Sequence, residues 1–567
     1  MQLTSATDPT VNAGTATIDR KMKNAPFYLA FAAILAFGLW LRLDQFLNQT
    51  LIDDEWHAIH QIVLSAPSKF MLSFGTADYS IPLTLWFWLQ ATCFGLSEFS
   101  MRLPMMIAGV ATIAMFPLAM RGKLNDRVIL VFALLIAFSP LLIAYSRMSR
   151  PYAITLFLSF VAYWCLDKAV EKNNVLSRSA LAYALISTLV LWMHPITGPF
   201  LIAPLISLWW HRSVRKETSK KVADQSFYPL IFLSLITSIL FSLAVLPPLL
   251  GDPAALTGKS GVHSIKWATL AGVWFAWLGT NSLVVVLMAV AFAIVGATSI
   301  WQANTIFRWA LLGISLTFLL ILVSRPAWIF HPLTFGRYLL PAIPVLLLLI
   351  SAGLIRCIDF GISKIKPDPS NRLQQALLRA LYVAVPLGLL IAYWFTSPLP
   401  NQISYPNSNT LHLAEQFDYR EADNKVSAYI NTLPVSPFWA SLRNSSPGSI
   451  KIAVAPFRFE SFDWPAPIWE SVSKQKVIPA FLSGSCVGWA HGEVPLDERF
   501  KFRNAVHVAD AAAIAHANIN YMVFFKATRF SSPSPLREIM PQCESWLRNQ
   551  RGSPTFEDES LIVWKIS

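Results

Sequence analysis

The sequence predicts an all-α polytopic membrane domain followed by a small α/β domain outside the bilayer. Three observations lead there. Of 567 residues, 54% are hydrophobic and only 14% charged, where a soluble domain carries roughly a quarter charged, and the mean hydropathy is +0.49. Apolar stretches long enough to cross a bilayer recur from residue 26 to residue 396. From about residue 397 the pattern changes to short alternating runs broken by Pro, Asn and Ser. These features exclude a disordered chain, a coiled coil and an ordinary cytosolic enzyme. The net charge of +13 does not point to nucleic acid, because nucleic-acid binders gather Lys and Arg on a polar face and this chain has few charges. In a polytopic protein, surplus Lys and Arg mark cytoplasmic loops.

In chain order, residues 1–22 are rich in Ser, Thr and Ala and lead into Arg20, Lys21 and Lys23. They read as a disordered cytoplasmic tail before an uncleaved first span. Spans are expected near 26–46, 101–120, 127–146, 151–168, 179–194, 196–211, 227–248, 282–301, 305–323, 338–355 and 379–396, of which 179–194 and 196–211 are short. Segment 81–97 is apolar but short, and Pro82 opens it. If it crossed, Arg121, Lys123, Arg127, Arg212, Arg215, Lys216, Lys220 and Lys221 would fall outside. If it lies at the surface or re-enters, they fall inside with Lys168, Lys172, Arg178, Arg308, Arg356, Lys364 and Lys366, and the positive-inside rule prefers this arrangement. Segment 267–280, rich in Trp, is also read as interfacial. The expectation is eleven spans within a 23–396 domain, amino terminus inside and carboxyl terminus outside.

Residues 397–410 read as a linker and 411–567 as the outer α/β domain. Its strands are expected at 451–455, 520–525 and 560–566, and its helices at 415–432 and 508–518. The five cysteines form no CxxC or Cys/His cluster. Cys93, Cys165 and Cys357 read as small packing residues in or beside spans. Cys486 and Cys543 would lie in an oxidising compartment, where they are able to pair.

This topology gathers the chemistry on the outer face. The first outer loop carries Asp53, Asp54, Glu55, His57, His60 and Asp78. Arg147, Arg150 and Tyr152 fall within AYSRMSRPYA, and His194 ends a span. Lys259, His263 and Lys266 follow the 227–248 span, and Arg325, His331, Arg337 and Tyr338 precede a late one. Acids can take a proton from an acceptor hydroxyl or amine, and guanidinium groups can hold a phosphate as it leaves. Blander readings stand beside these. The acidic triplet fits a solvated helix cap, the arginines fit snorkelling side chains, and the histidines fit a satisfied core residue and a solvated loop. His57 and His60 share a helical face, but a metal pair would need more ligands.

The motifs themselves resemble a known family. LIDDEWHAIHQIV, FGLSEFSMRLPMMIAGV, FSPLLIAYSRMSRPYAITLFL, His194 and GRYLLPAIPVLLLL are similar, in order and spacing, to segments of the C-type-fold (GT-C) membrane glycosyltransferases. The likeness is to the bacterial branch of the dolichyl-phosphate-mannose protein mannosyltransferases, relatives of the aminoarabinose lipid A transferase. One departure is visible: Ser80-Ile81-Pro82 stands where the family often has His-Pro-Pro or Lys-Pro-Pro.

The resemblance implies an undecaprenyl-phosphate-linked sugar donor, inverting transfer to an extracytoplasmic acceptor (lipid A, a protein or an envelope glycan), and a bacterial inner membrane with the site on its periplasmic face. It implies Asp54 as the base with Glu55 beside it. Asp53 is an additional acid, so the choice between Asp53 and Asp54 stays open. Arg150 and Arg337 would stand at the donor phosphate, with Arg147, Tyr152, Lys259, Tyr338, Asp78, His194 and His263 around the substrate. No cofactor is required; the acids are compatible with a divalent metal. Membrane lipids are partners and nucleic acid is not. The rival function is a transporter or flippase of a lipid-linked sugar. Coupled transporters place ionisable groups in mid-span, whereas these spans hold theirs at one end.

Overall fold

The apolar periodicity folds into helices throughout the first four hundred residues. The computed structural model describes residues 9–44, 46, 55, 61–62, 65–75, 80–172, 177–215, 227–280, 282–300, 305–365, 371–401, 435–455, 466–482, 486, 506–526 and 536–566. The helices are α1 (Pro9–Leu43), α2 (Ile81–Cys93), α3 (Glu98–Ala119), α4 (Asp126–Phe138), α5 (Pro140–Ser146), α6 (Tyr152–Glu171), α7 (Arg178–Met193) and α8 (Gly198–Arg215). They continue as α9 (Phe227–Gly251), α10 (Trp267–Leu278), α11 (Leu283–Ile300), α12 (Thr305–Ser324), α13 (Pro332–Tyr338), α14 (Ala342–Ile365) and α15 (Arg372–Thr396).

Among the described residues, eight helices are long and apolar enough to cross a bilayer, and α4 with α5 makes a ninth, bent by 59°. The remaining two expected spans are helical too. α7 has only 16 residues, about 24 Å at 1.5 Å per residue, and α8 ends in the polar run HRSVR. α2 has 13 residues and α10 has 12. Neither reaches across a hydrocarbon core of about 30 Å, in keeping with their interfacial reading.

Three boundaries differ from expectation. α1 begins at Pro9, inside the segment read as a disordered tail; proline is favoured at a first helical position, and its fixed φ suits the turn. The 127–146 stretch breaks at Ser139-Pro140, where Ser139 is extended. Pro140 has no N–H to continue the ladder and its ring collides with the preceding turn. The 338–355 span begins later, at Ala342, because Leu339–Pro341 form a turn after the short α13.

The bundle has two chemically distinct ends. At one end lie Arg121 with Asp126 at 3.5 Å, Lys123 with Asp167 at 2.6 Å, and Arg127 with Asp359 at 3.9 Å. Arg121, Lys123 and Arg127, three of the cations that the sequence assigns to a single side, therefore lie together. The opposite end collects the last turn of α1, the start of α3, the end of α5, the start of α6, the end of α7, and α13. Close packing sets the helix spacing between them. α11 and α14 meet through Gly296 and Gly353, where a Cβ on either glycine would strike the backbone of the facing helix.

The C-terminal domain is built on β1 (Lys451–Ala455), β2 (Lys476–Phe481), β3 (Val506–His507), β4 (Tyr521–Phe525), β5 (Phe556–Glu557) and β6 (Leu561–Lys565), in the order β3-β2-β1-β4-β6-β5. β3, β2, β1 and β4 run parallel, and β6 is antiparallel to both β4 and β5. KIAVA is nearly all apolar because four of its five residues are buried within the sheet. β2 escapes sequence reading because Pro479 argues against a strand, yet Pro479 pairs in register with Val454. Between the strands stand α16 (Ala466–Ser473), α17 (Ala511–His516) and α18 (Leu536–Arg551). α17 is the helix expected at 508–518. The helix expected at 415–432 lies outside the described residues. Cys486 and Cys543 are joined, with Cα atoms 5.0 Å apart. Cys165 is half-buried, but Cys93 and Cys357 are exposed on their helices. That corrects their reading as packing residues: an apolar thiol facing the bilayer needs no protein neighbour.

Candidate active site

The site is assembled by the break in the third span. Ending α4 at Phe138 frees carbonyls that the next turn would otherwise pair. Arg42, completely buried in the last turn of α1, answers part of this need. Its Nη1 donates to Ala137 O at 3.1 Å and to Gly38 O at 2.9 Å, and its Nε donates to Ser146 Oγ at 3.2 Å. One guanidinium thus ties α1 to both halves of the bent span. Sequence reading gave Arg42 no role, although an arginine inside an apolar stretch is itself a functional signal. Gly109 of α3 makes room for the same joint, because a Cβ there would stand 2.6 Å from Ser146 Cβ.

The bent span delivers the loop Arg147–Pro151. Arg147, 3% exposed, donates through Nη1 to Leu41 O at 3.2 Å. Ser149 N donates to Glu55 Oε1 at 2.8 Å. Glu55 in turn receives a two-pronged bond from Arg102 of α3, Nε to Oε1 at 2.7 Å and Nη2 to Oε2 at 2.6 Å. Glu55 and Arg102 are 0% and 1% exposed. A carboxylate engaged by a guanidinium fork and a backbone N–H is fixed in place. Glu55 therefore serves as an anchor that joins the acidic first loop to α3 and to the arginine loop.

Beside this anchor is a cluster centred on Tyr152. The Arg150 guanidinium carbon lies 6.0 Å from the Tyr152 ring centre, and that of Arg337 lies 5.6 Å from it and 5.6 Å from the Tyr338 ring. The His194 ring is 5.4 Å from Tyr152 and 5.8 Å from Tyr338. Residues nearly two hundred positions apart thus come together, because His194 caps α7, Tyr152 opens α6 and Arg337 closes α13. Tyr152, His194, Arg337 and Tyr338 line a cleft that runs down between α6 and α12 past Thr155, Ser159 and Thr317; its free volume of about 20 Å³ is close to one water.

His263 Nδ1 accepts from Trp328 N at 3.0 Å, and its ring is 5.0 Å from Phe330. Lys259 O accepts from Ala327 N at 3.0 Å. Both belong to a loop packed on residues 324–331. Asp53, Asp54, His57, His60 and Asp78 lie outside the described residues. Among the described residues no group of three or more His, Cys, Asp or Glu could hold a metal.

A model of the dolichyl-phosphate-mannose-protein mannosyltransferase family matches residues 80–242. That stretch is less than half the chain but contains Arg102, Arg147, Arg150, Tyr152 and His194. No curated protein matches. Among solved structures, the chain is similar to ArnT from Cupriavidus metallidurans bound to undecaprenyl phosphate, with a TM-score of 0.44 and 11% identity over 95% of this chain and 97% of that one. The same protein in its apo state gives a TM-score of 0.42 and 13% identity over 94% and 97%. The archaeal oligosaccharyltransferase AglB from Archaeoglobus fulgidus, in complex with an inhibitory peptide and a dolichol-phosphate, gives 0.39 and 12% over 89% and 70%.

Proposed function

We propose that this protein is a membrane glycosyltransferase that moves a sugar from a polyprenyl-phosphate donor to an acceptor on the outer face of a bacterial inner membrane. The observation that carries the reading is the convergence of Arg150 and Arg337 on Tyr152, which with Arg337 lines a small cleft, next to a loop whose Glu55 is clamped by Arg102. Two guanidiniums at a bilayer edge suit a phosphate whose hydrocarbon tail stays in the membrane. The family match over residues 80–242 supports the same donor class.

The chemistry is one displacement. The acceptor hydroxyl or amine attacks the anomeric carbon, and its proton passes to Asp54 or its neighbour Asp53, the chain neighbours of the anchored Glu55. The bond from the anomeric carbon to the phosphate oxygen breaks, and the charge of the departing polyprenyl phosphate is met by Arg150 and Arg337. The Tyr152 and Tyr338 hydroxyls and His194 add hydrogen-bonding groups at the cleft. Attack from the face opposite the phosphate inverts the anomeric centre. The disulfide between Cys486 and Cys543 supports an oxidising side for the C-terminal domain.

Purified protein in detergent or liposomes, given radiolabelled undecaprenyl-phosphate sugar and an envelope extract, should move label to an acceptor. Label that only crosses the bilayer on its original lipid would instead indicate the flippase.

A further inference from the structure

A second cavity lies at the other end of the bundle and is unrelated to the cleft chemistry. It has a volume of about 440 Å³ and opens among α3, α4, α6, α12 and α14, within the size range of small-molecule sites. Phe116, Phe160, Phe307 and Leu348 are among its apolar walls, and among the described residues the only charged side chains on its lining are Arg121 and Lys168. No acid lines it. Met115, Leu118 and Trp164, which also line it, are 40%, 38% and 37% exposed, so the cavity opens onto the apolar surface of the bundle rather than being sealed within the protein.

We propose that this cavity binds one acyl chain of an anionic phospholipid from the leaflet at the basic end, with the headgroup phosphate between Arg121 and Lys168. The lining and the charge agree on this occupant: a mostly apolar volume, exposed apolar residues at its opening, and two cations on its lining. The acids near these cations do not pre-empt it. Asp126 stands 3.5 Å from Arg121 and Glu171 2.8 Å from Lys168, and all four side chains are 22–48% exposed. Exposed pairs of this kind are weak and exchangeable. Lys123 is committed to Asp167 at 2.6 Å, with Glu171 at 3.4 Å. The faces of Phe27 and Tyr28 hold the Arg121 guanidinium at 4.2 and 4.7 Å, orienting it without neutralising it. The polyprenyl donor does not suit this rim, because its phosphate belongs with Arg150 and Arg337 at the opposite end.

The test is native mass spectrometry of the delipidated full chain titrated with phosphatidylglycerol or phosphatidylcholine of identical acyl chains. Phosphatidylglycerol should bind about tenfold more tightly, and Arg121→Gln with Lys168→Gln should remove that preference while leaving phosphatidylcholine binding unchanged. Independently of that variant, phosphatidylglycerol brominated on its acyl chain should quench tryptophan fluorescence of the otherwise unchanged protein, and Trp164→Phe should lose that component of the quenching. Equal binding of the two lipids, a preference that survives the double substitution, or quenching unchanged by Trp164→Phe would each overturn the proposal. So would displacement of phosphatidylglycerol, one for one, by undecaprenyl phosphate, which would make the cavity a seat for the donor tail.

Discussion

Arg102 and Glu55 form a buried, two-pronged ion pair at 2.6 and 2.7 Å, and Ser149 N adds a third bond to the same carboxylate at 2.8 Å. A single side chain from the acidic loop thereby joins the start of α3 to the loop that carries Arg147 and Arg150. The pair is an anchor that fixes Glu55 against α3 and the loop that carries the arginines.

Glu55→Gln should therefore destabilise more than it changes chemistry directly. Removing one partner of a buried pair leaves an uncompensated charge and costs about 3–5 kcal/mol. Thermal unfolding in detergent should show a clear drop. Glu55→Leu with Arg102→Met should recover most of it, though not all, because Ser149 N loses its acceptor. An unchanged melting temperature for Glu55→Gln would show that the pair is no anchor.

Asp54→Asn should behave in the opposite way. If Asp54 is the base, transfer should fall by about 10²–10⁴-fold, the usual worth of positioned acid–base catalysis, with normal abundance and melting temperature. Asp53→Asn is the parallel measurement. Loss confined to Asp53→Asn would exchange their roles, and full activity in both would return the acids to a solvated cap.

Arg150→Ala should raise the donor KM. Hydrogen bonds to charged groups are worth about 1.5–3 kcal/mol, so transfer at limiting donor should drop by one to two orders of magnitude. Arg150→Lys should recover only part, since an ammonium is a point charge without the fork. Initial rates across donor concentrations decide, and an unchanged donor KM in the Ala variant removes Arg150 from the site.

Gly109→Ala should pry α3 from the end of α5, because its Cβ would stand 2.6 Å from Ser146 Cβ. Overpacking of this kind costs about 1–3 kcal/mol, and here it also presses on the Arg42 joint. A lowered melting temperature with reduced transfer is expected, and a neutral result would show that the joint yields without consequence.

Cys486 and Cys543 should resist alkylation in isolated membranes until a reductant is added, and a reporter active only in the periplasm should work when fused after Ser567. Free thiols at both positions, or full activity of a cytoplasm-only reporter at the same place, would reverse the proposed orientation.

The nine long apolar helical segments, counting the bent α4–α5 pair as one, and the helical nature of the shorter apolar stretches were legible in the sequence. Hydropathy and charge act residue by residue on the bilayer, so their pattern survives without knowledge of packing. The C-terminal sheet was legible in β1, β4 and β6, whose short apolar runs are strands buried in one sheet. β2 was hidden because Pro479 reads locally as a strand breaker and only its parallel neighbours override it.

What the tertiary structure alone decided was which polar groups meet. Pro140 marked a weak point in an apolar stretch, but the 59° bend and its capture by Arg42 depend on a helix almost a hundred residues away. The sequence placed Glu55 beside Asp54 as a second acid; the fold turned it into the ligand of Arg102. It also placed Arg150, His194 and Arg337 on one face, where His263 stood equally well. Three-dimensional packing sent His263 to Trp328 and Phe330 and brought the other three around Tyr152. Burial of a charge is tolerated only where a distant partner or a shared cluster compensates it, and distant partners are chosen by the packing of helices, which no local stretch of sequence contains.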